Sequence, residues 1–166
     1  MRKLTFLLIL GFLICCFSVP FMADQIKNQA KEQPKTQVND PPKTGNINIV
    51  ITGLRNNNGK VLVGLYNSAD TFLNRDAYFK GLSLAINNRS ASGAFTDIPY
   101  GTYAIAFFQD ENNSGKLDYS FIGMPLEGIG FSTNFKSGLL KRPTFNDVKF
   151  DLVTSNITID MDTDYL

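Results

Sequence analysis

The 166-residue chain contains no histidine and no tryptophan, and its only two cysteines are neighbours, Cys15 and Cys16. Without imidazole there is no histidine-dependent triad and no zinc site built on histidine. Both cysteines fall in a segment read below as cleaved, so the mature chain carries neither a disulfide nor a thiol nucleophile. Lack of tryptophan leaves any stacking on a sugar ring to the six tyrosines, of which Tyr100 and Tyr119 flank turns. No serine sits in a GxSxG elbow. The glycines of GIGF at 128–131 lack the lysine and the strand-to-helix setting of a phosphate loop. A formal charge of +1 with no basic stripe argues against a nucleic-acid partner.

At the N-terminus, Arg2 and Lys3 precede an almost unbroken apolar run over 4–17, followed by Ser18, Val19, Pro20 and Ala23. This is the layout of a secretory signal peptide, expected to be removed after Ser18 or Ala23. The run is shorter than the roughly 20 apolar residues that span a bilayer, so no transmembrane segment is expected in the mature chain. The expectation is an exported protein, periplasmic or secreted, with lipid attachment at Cys15 or Cys16 as the alternative. Cleavage after residue 23 removes two basic and no acidic residues, which leaves a formal charge of −1.

Residues 24–46 are rich in Gln, Lys, Asn, Pro and Asp, with Ile26 and Val38 the only sizeable apolar side chains. They read as a flexible polar linker. The remaining stretch, 47–166, is one domain's worth of chain. Ile47, Ile49 and Ile51 alternate with other residues, as do Val61, Val63 and Leu65, and both runs predict strands. The RNNNGK between them, with Asn58 and Gly59, predicts a tight hairpin turn. A helix of one or two turns is expected within 68–80, capped by Ser68 or Asp70. Residues 82–86 and 94–98 predict short strands. Over 102–109, Tyr103, Ile105 and Phe107 face one way and Ala104, Ala106 and Phe108 the other, so this strand is apolar on both faces and should be central. Alternation over 148–152 and 157–161 predicts a terminal hairpin. About seven strands with at most one short helix give an all-β fold, an antiparallel sandwich of immunoglobulin-like or transthyretin-like type.

The segment most suggestive of chemistry is DENNSGKLD at 110–118. Asp110, Asn112 and Ser114 stand at the first, third and fifth positions of a calcium-type loop. Gly115 supplies the sharp turn, Lys116 a carbonyl, and Asp118 the ninth position. The twelfth position, which normally carries a bidentate glutamate, is Phe121, so Glu127 or Glu111 would have to complete the shell. A hairpin tip whose Asp and Asn side chains bond to their own backbone is the plain alternative. Asp110, Glu111, Asp118 and Glu127 also supply the carboxylates that a small hydrolase would need. The glycine-rich loop GMPLEGIGF at 123–131 exposes Met124, Leu126 and Ile129 to a protein partner, unless they cap an end of the sandwich.

Taken together, GLRNNNGKVLVGLYN, FTDIPYGTYAIAFFQDENNSGKLD, GMPLEGIGFSTN and PTFNDVKF resemble, in order and spacing, the bacterial exported family known as domain of unknown function 2141. The resemblance implies export and a compact β domain, and it brings no established activity. Gln109 departs from it, since family members often carry histidine there. The Pro99, Gly101 and Tyr103 corner is similar to those of transthyretin-like and carboxypeptidase-regulatory-like sandwiches, a likeness of fold alone. The sequence therefore points to a non-enzymatic binding or accessory module that needs no cofactor, with calcium as the candidate ion for the 110–118 loop. Its partner would be an extracytoplasmic protein or a small ligand.

Overall fold

The computed structural model describes residues 43–138 and 141–166. The expected signal peptide and the linker as far as residue 42 lie outside the described residues. Eight strands and one helical turn follow one another as β1 (Thr44–Thr52), β2 (Lys60–Tyr66), β3 (Lys80–Ala85), β4 (Ala91–Pro99), β5 (Gly101–Asp110), β6 (Ile129–Phe131), α1 (Phe145–Val148), β7 (Lys149–Leu152) and β8 (Asn156–Asp162). No helix among the described residues is long and apolar enough to cross a membrane.

One sheet has the order β4-β1-β8, and the other has the order β3-β2-β5-β6 with β7 also paired to β5. β6 pairs with Ala106–Phe108 and β7 with Gly101–Ala104, so the two short strands lie end to end along one edge of β5. The fold is the all-β, antiparallel-rich sandwich that the alternation predicts, with one parallel pair, β1 against β8. Period two puts Ile47, Ile49 and Ile51 of β1 and Val61, Val63 and Leu65 of β2 into the space between the sheets. Phe95, Ile98, Ile105, Leu152 and Met161 complete that core.

Three connections differ from the expectation. The Asn-rich turn after β1 is no hairpin, because β1 and β2 belong to different sheets. Seven residues, 53–59, join them, enough to climb the roughly 10 Å between stacked sheets. Leu54 seals that end of the core, fully buried. The C-terminal strands likewise divide between the sheets, β7 joining β5 and β8 joining β1. Alternation marks the inward face of a strand but carries no record of its neighbour, so a hairpin and a sheet-to-sheet crossing have the same pattern. Residues 68–79 form a series of turns instead of a helix: Phe72, Asn74 and Ala77 donate to carbonyls three residues back, and Leu73 has φ 63°, which stops helix propagation. The one helical turn is α1. The Thr144 backbone N–H and hydroxyl both reach Asp147 Oδ2 there, at 2.8 and 2.7 Å, and these bonds hold the Asp147 carboxyl below its usual range.

At the bend between β4 and β5 the Tyr103 hydroxyl donates to the Pro99 carbonyl at 2.8 Å. Burial raises the pKa of that phenol, which keeps it a neutral donor across the physiological range. The bond ties the entry of the central strand to the end of the preceding one, as in the tyrosine corner of other sandwiches. Replacing Tyr103 by Phe removes this bond with little change of shape. The expected loss is about 1 kcal/mol of unfolding free energy, read as a lower guanidinium midpoint at unchanged m-value. An unchanged midpoint would mean that the corner contributes nothing.

Candidate functional site

β5 ends at Asp110, and the loop that follows wraps back on that residue. Asp110 is fully buried, and its Oδ2 accepts from the Gly115 N–H at 3.0 Å and lies 3.8 Å from Lys60 Nζ. Asn112 Oδ1 accepts from Ser114 N at 2.9 Å while Asn112 Nδ2 donates to Asp118 Oδ2 at 2.7 Å. The Ser114 hydroxyl reaches the Lys116 carbonyl at 2.9 Å and lies 3.5 Å from Asp110 Oδ1. Gly115 has φ +72°, the left-handed conformation that the sixth position of a calcium-type loop requires. Thus the side chains of Asp110, Asn112, Ser114 and Asp118 and the carbonyl of Lys116 are joined pairwise by hydrogen bonds within one loop.

This donor set is two carboxylates with an amide, a hydroxyl and a carbonyl, which suits a hard cation held weakly. Among the described residues no group of three or more His, Cys, Asp or Glu side chains gathers around a common point. Glu127, 4 % exposed, lies beside the loop. Its two oxygens accept from the backbone N–H groups of Glu111 and Asp118, at 2.9 and 3.1 Å. Glu111 turns the other way, with Oε1 2.6 Å from Arg55 Nη2 and Oε2 accepting from Asn56 Nδ2 at 2.8 Å.

Next to these carboxylates lies a polar knot centred on the fully buried Gln109. Its Nε2 donates to Asn56 Oδ1 at 2.9 Å and to the Asn58 carbonyl at 3.2 Å. Its Oε1 accepts from the Tyr165 hydroxyl at 2.8 Å, and that hydroxyl accepts from Arg55 N at 2.7 Å. Burial raises the pKa of Tyr165 as well. Gly59 completes the fit: a Cβ there would come within 1.8 Å of the Asp110 carbonyl oxygen, at φ +70°. The loop 53–59 is therefore moulded onto the end of β5, and the Asn-Gly pair has a physical reason.

The second feature lies on the outer face of the five-stranded sheet. Ala104, Ala106 and Phe108 of β5 and Ile129 and Phe131 of β6 point away from the main core. Phe72, Leu117, Phe135, Phe145 and Val148 pack over them as a second apolar cluster. This cover is made of loops and leaves a cavity of about 640 Å3, within the range of small-molecule sites. Its floor includes the directly paired Gly64 and Ala106, with the Tyr66 ring lying against Gly64, 3.0 Å from where a Cβ would stand. Leu117 forms part of the wall, so the 110–118 loop frames the cavity. Arg75 reaches across from the 68–79 turns, stacks 5.8 Å from the Phe108 ring and donates to the Gly115 carbonyl.

The 123–131 loop divides between these features. Ile129 begins β6 and is 7 % exposed, Met124 is half-buried in the cavity wall, and Leu126 faces solvent at 52 %. Phe121 and Ile122 are strongly exposed apolar side chains, at the tip of a small hairpin closed by Ser120 N donating to the Met124 carbonyl at 2.7 Å. Sequence reading passed over this tip, and it passed over Arg75, Lys141 and Arg142 in the cavity wall. The one signal for the cavity was β5 itself, whose second apolar face demanded a cover.

The family described as "Uncharacterized protein conserved in bacteria (DUF2141)" matches residues 49–160, about two thirds of the 166 residues. The chain belongs to that family. The match runs from the middle of β1 to β8, so this DUF2141 domain includes both sheets, the 110–118 loop and most of the cavity wall. No curated protein and no solved structure matches the chain.

The Glu127 carboxylate joins the two ends of the 111–118 segment through backbone N–H groups, so its charge is used in holding the loop. Glu127→Gln keeps the shape but offers one acceptor oxygen instead of two and forces an amide N–H against a backbone donor. The expected cost is about 1–3 kcal/mol in chemical denaturation. Wild-type stability in that variant would show that the carboxylate does not organise the loop.

Proposed function

We propose that this protein is an exported, non-enzymatic binding module, periplasmic or secreted, whose ligand surface is the cavity on the outer face of the five-stranded sheet. The single observation that carries this reading is the cavity itself, about 640 Å3 with an apolar floor and a wall built from three separate loops. Small-molecule sites have this form, concave and mostly apolar with a few polar groups at the rim. The charged N-terminal segment followed by an apolar run supports export, with lipid attachment at Cys15 or Cys16 as the alternative route to the same compartment. The non-enzymatic reading is supported by the occupation of the carboxylates that a hydrolase would use: Glu127 is bound to backbone N–H groups and Glu111 to Arg55 and Asn56.

An uncharged environment-sensitive dye such as N-phenylnaphthylamine tests the cavity directly. Binding should enhance its fluorescence saturably. Ala106→Leu, which adds bulk to the cavity floor, should weaken binding at least fivefold while the protein still melts cooperatively. Leu73→Trp, at the exposed rim, gives a second variant that does not load the sheet. Full dye binding in both folded variants, or none in the wild type, would remove the cavity as the ligand surface.

A second element of this reading is calcium at the 110–118 loop, supported by the hydrogen-bonded set of Asp110, Asn112, Ser114, Lys116 and Asp118. Bound there, the ion would stiffen one wall of the cavity through Leu117 and Gly115. Calcium at ten times its dissociation constant should add about 1.4 kcal/mol of stability if it binds only the folded chain. Thermal melts in millimolar calcium and in chelator should therefore differ, and superimposable melts would reject the ion.

A further inference from the structure

The cavity wall is not electrically neutral. Its charged side chains are three basic residues, Arg75, Lys141 and Arg142, and one acidic residue, Asp76. Arg75 is held against the apolar floor by Phe108, its guanidinium carbon 5.8 Å from the ring centroid, with one N–H used on the Gly115 carbonyl. A guanidinium has five N–H donors, so others remain for a ligand. Across the cavity, Lys141 Nζ stands 4.6 Å from the Phe135 ring centroid. Asp147 is the acidic neighbour of Lys141 and is lowered in pKa partly by it. The Thr144 bonds keep that carboxylate ionised, so it offsets part of the lysine's field and leaves Arg75 and Arg142 as the wall's remaining positive charges.

A second observation points the same way. The Ser137 hydroxyl is shut off from solvent and has no hydrogen-bond partner among the described residues, and Ser137 lines the same cavity. Backbone pairing of Gly138 with Lys141, at 3.2 and 3.0 Å, is antiparallel and makes Ser137 and Arg142 the next residues outward from that bridge. A shielded hydroxyl without a partner costs free energy unless something supplies the missing bond. An anion seated between Ser137, Lys141 and Arg142 would supply it, because the hydroxyl donates and both cations attract. Leu62, Ala106, Phe108, Ile129 and Phe131 give the cavity a hydrocarbon stretch, beside which Asp76, Ser83 and the rings of Tyr66, Tyr78 and Tyr119 also line the wall.

Resting on the cavity reading above, we propose that the ligand is an anionic single-chain amphiphile of the fatty-carboxylate type. Its tail lies along Leu62, Ala106, Phe108 and Phe131, and its head is held by Ser137, Arg142 and Lys141, with Arg75 adding positive potential along the chain. The test compares dodecanoate, 1-dodecanol and dodecyltrimethylammonium as competitors of N-phenylnaphthylamine on the full mature chain. Dodecanoate should displace the dye at concentrations at least tenfold below dodecanol, equivalent to about 1.4 kcal/mol, and dodecyltrimethylammonium should be the weakest. Raising salt from 50 to 500 mM should narrow the dodecanoate advantage and leave dodecanol unchanged. In Arg142→Gln and in Ser137→Ala the dodecanoate-to-dodecanol ratio should fall to about threefold or less, and both substitutions lie near the surface where folding tolerates them. Equal displacement by all three competitors, or a preference for the cation, overturns the anionic head while the cavity reading stands. Failure of the dye itself to bind overturns both.

Discussion

The rest of the structure depends on the two apolar faces of β5. One face, through Tyr103, Ile105 and Phe107, closes the space between the sheets. The other, through Ala104, Ala106 and Phe108, lies on the outside of the sandwich and would meet water if nothing covered it. Burying an apolar side chain is worth roughly 1.5–3 kcal/mol, so several of them on one sheet face draw a cover over themselves. No third sheet is available. The cover is assembled from the 68–79 turns, the 111–128 segment and the chain around α1, which explains why long stretches with no regular hydrogen-bond ladder are nonetheless held against the body of the protein.

Irregular cover has its own requirement, because loop backbone cannot be buried with unpaired polar groups. Side chains meet that demand here. Glu127 accepts from Glu111 N and Asp118 N, Asp110 from Gly115 N, and Asn112 from Ser114 N. Gln109, Asn56 and Tyr165 fasten the 53–59 crossing and the C-terminal segment to the same end of β5. The acidic and amide residues that make 110–118 look like an ion loop are therefore also structural members of the cover. Both roles ask for oxygens pointing inward, and a cation would replace the hydrogen bonds among Asp110, Asn112 and Ser114 by stronger contacts without a new fold.

Much of this architecture was legible in the chain before any coordinates. Alternation identified the inward residues of β1, β2 and β5, and the both-faced apolarity of 102–109 identified the central strand. Pairing was not legible. Period two is identical for a strand that turns back on its neighbour and for one that crosses to the opposite sheet, which is how a terminal hairpin was expected where β7 and β8 divide. The loop 110–118 was readable because its chemistry is local in sequence. The cavity was not, since Gly64, Arg75, Ala106, Ser137 and Arg142 come from five separate places, and only the strand register and the fold of the cover bring them together. Gln109 shows the same limit: in the sequence it stands out only as a departure from the histidine common in the family, whereas its position makes it the hub of a structural knot.

The cavity is partly open to solvent, so water fills it whenever no ligand does, and its volume of about 640 Å3 is within the range of small-molecule sites. Water gains little from the hydrocarbon surface of Leu62, Phe108, Ile129 and Phe131, and it leaves the area benefit of covering that surface unrealised. At position 64 the constraint is the Tyr66 ring, which a Cβ would approach to 3.0 Å, so that glycine serves the packing of the sheet face. Hydrocarbon beside a wall with three basic side chains and one acidic one gives an apolar molecule with a negative end more to gain here than water has.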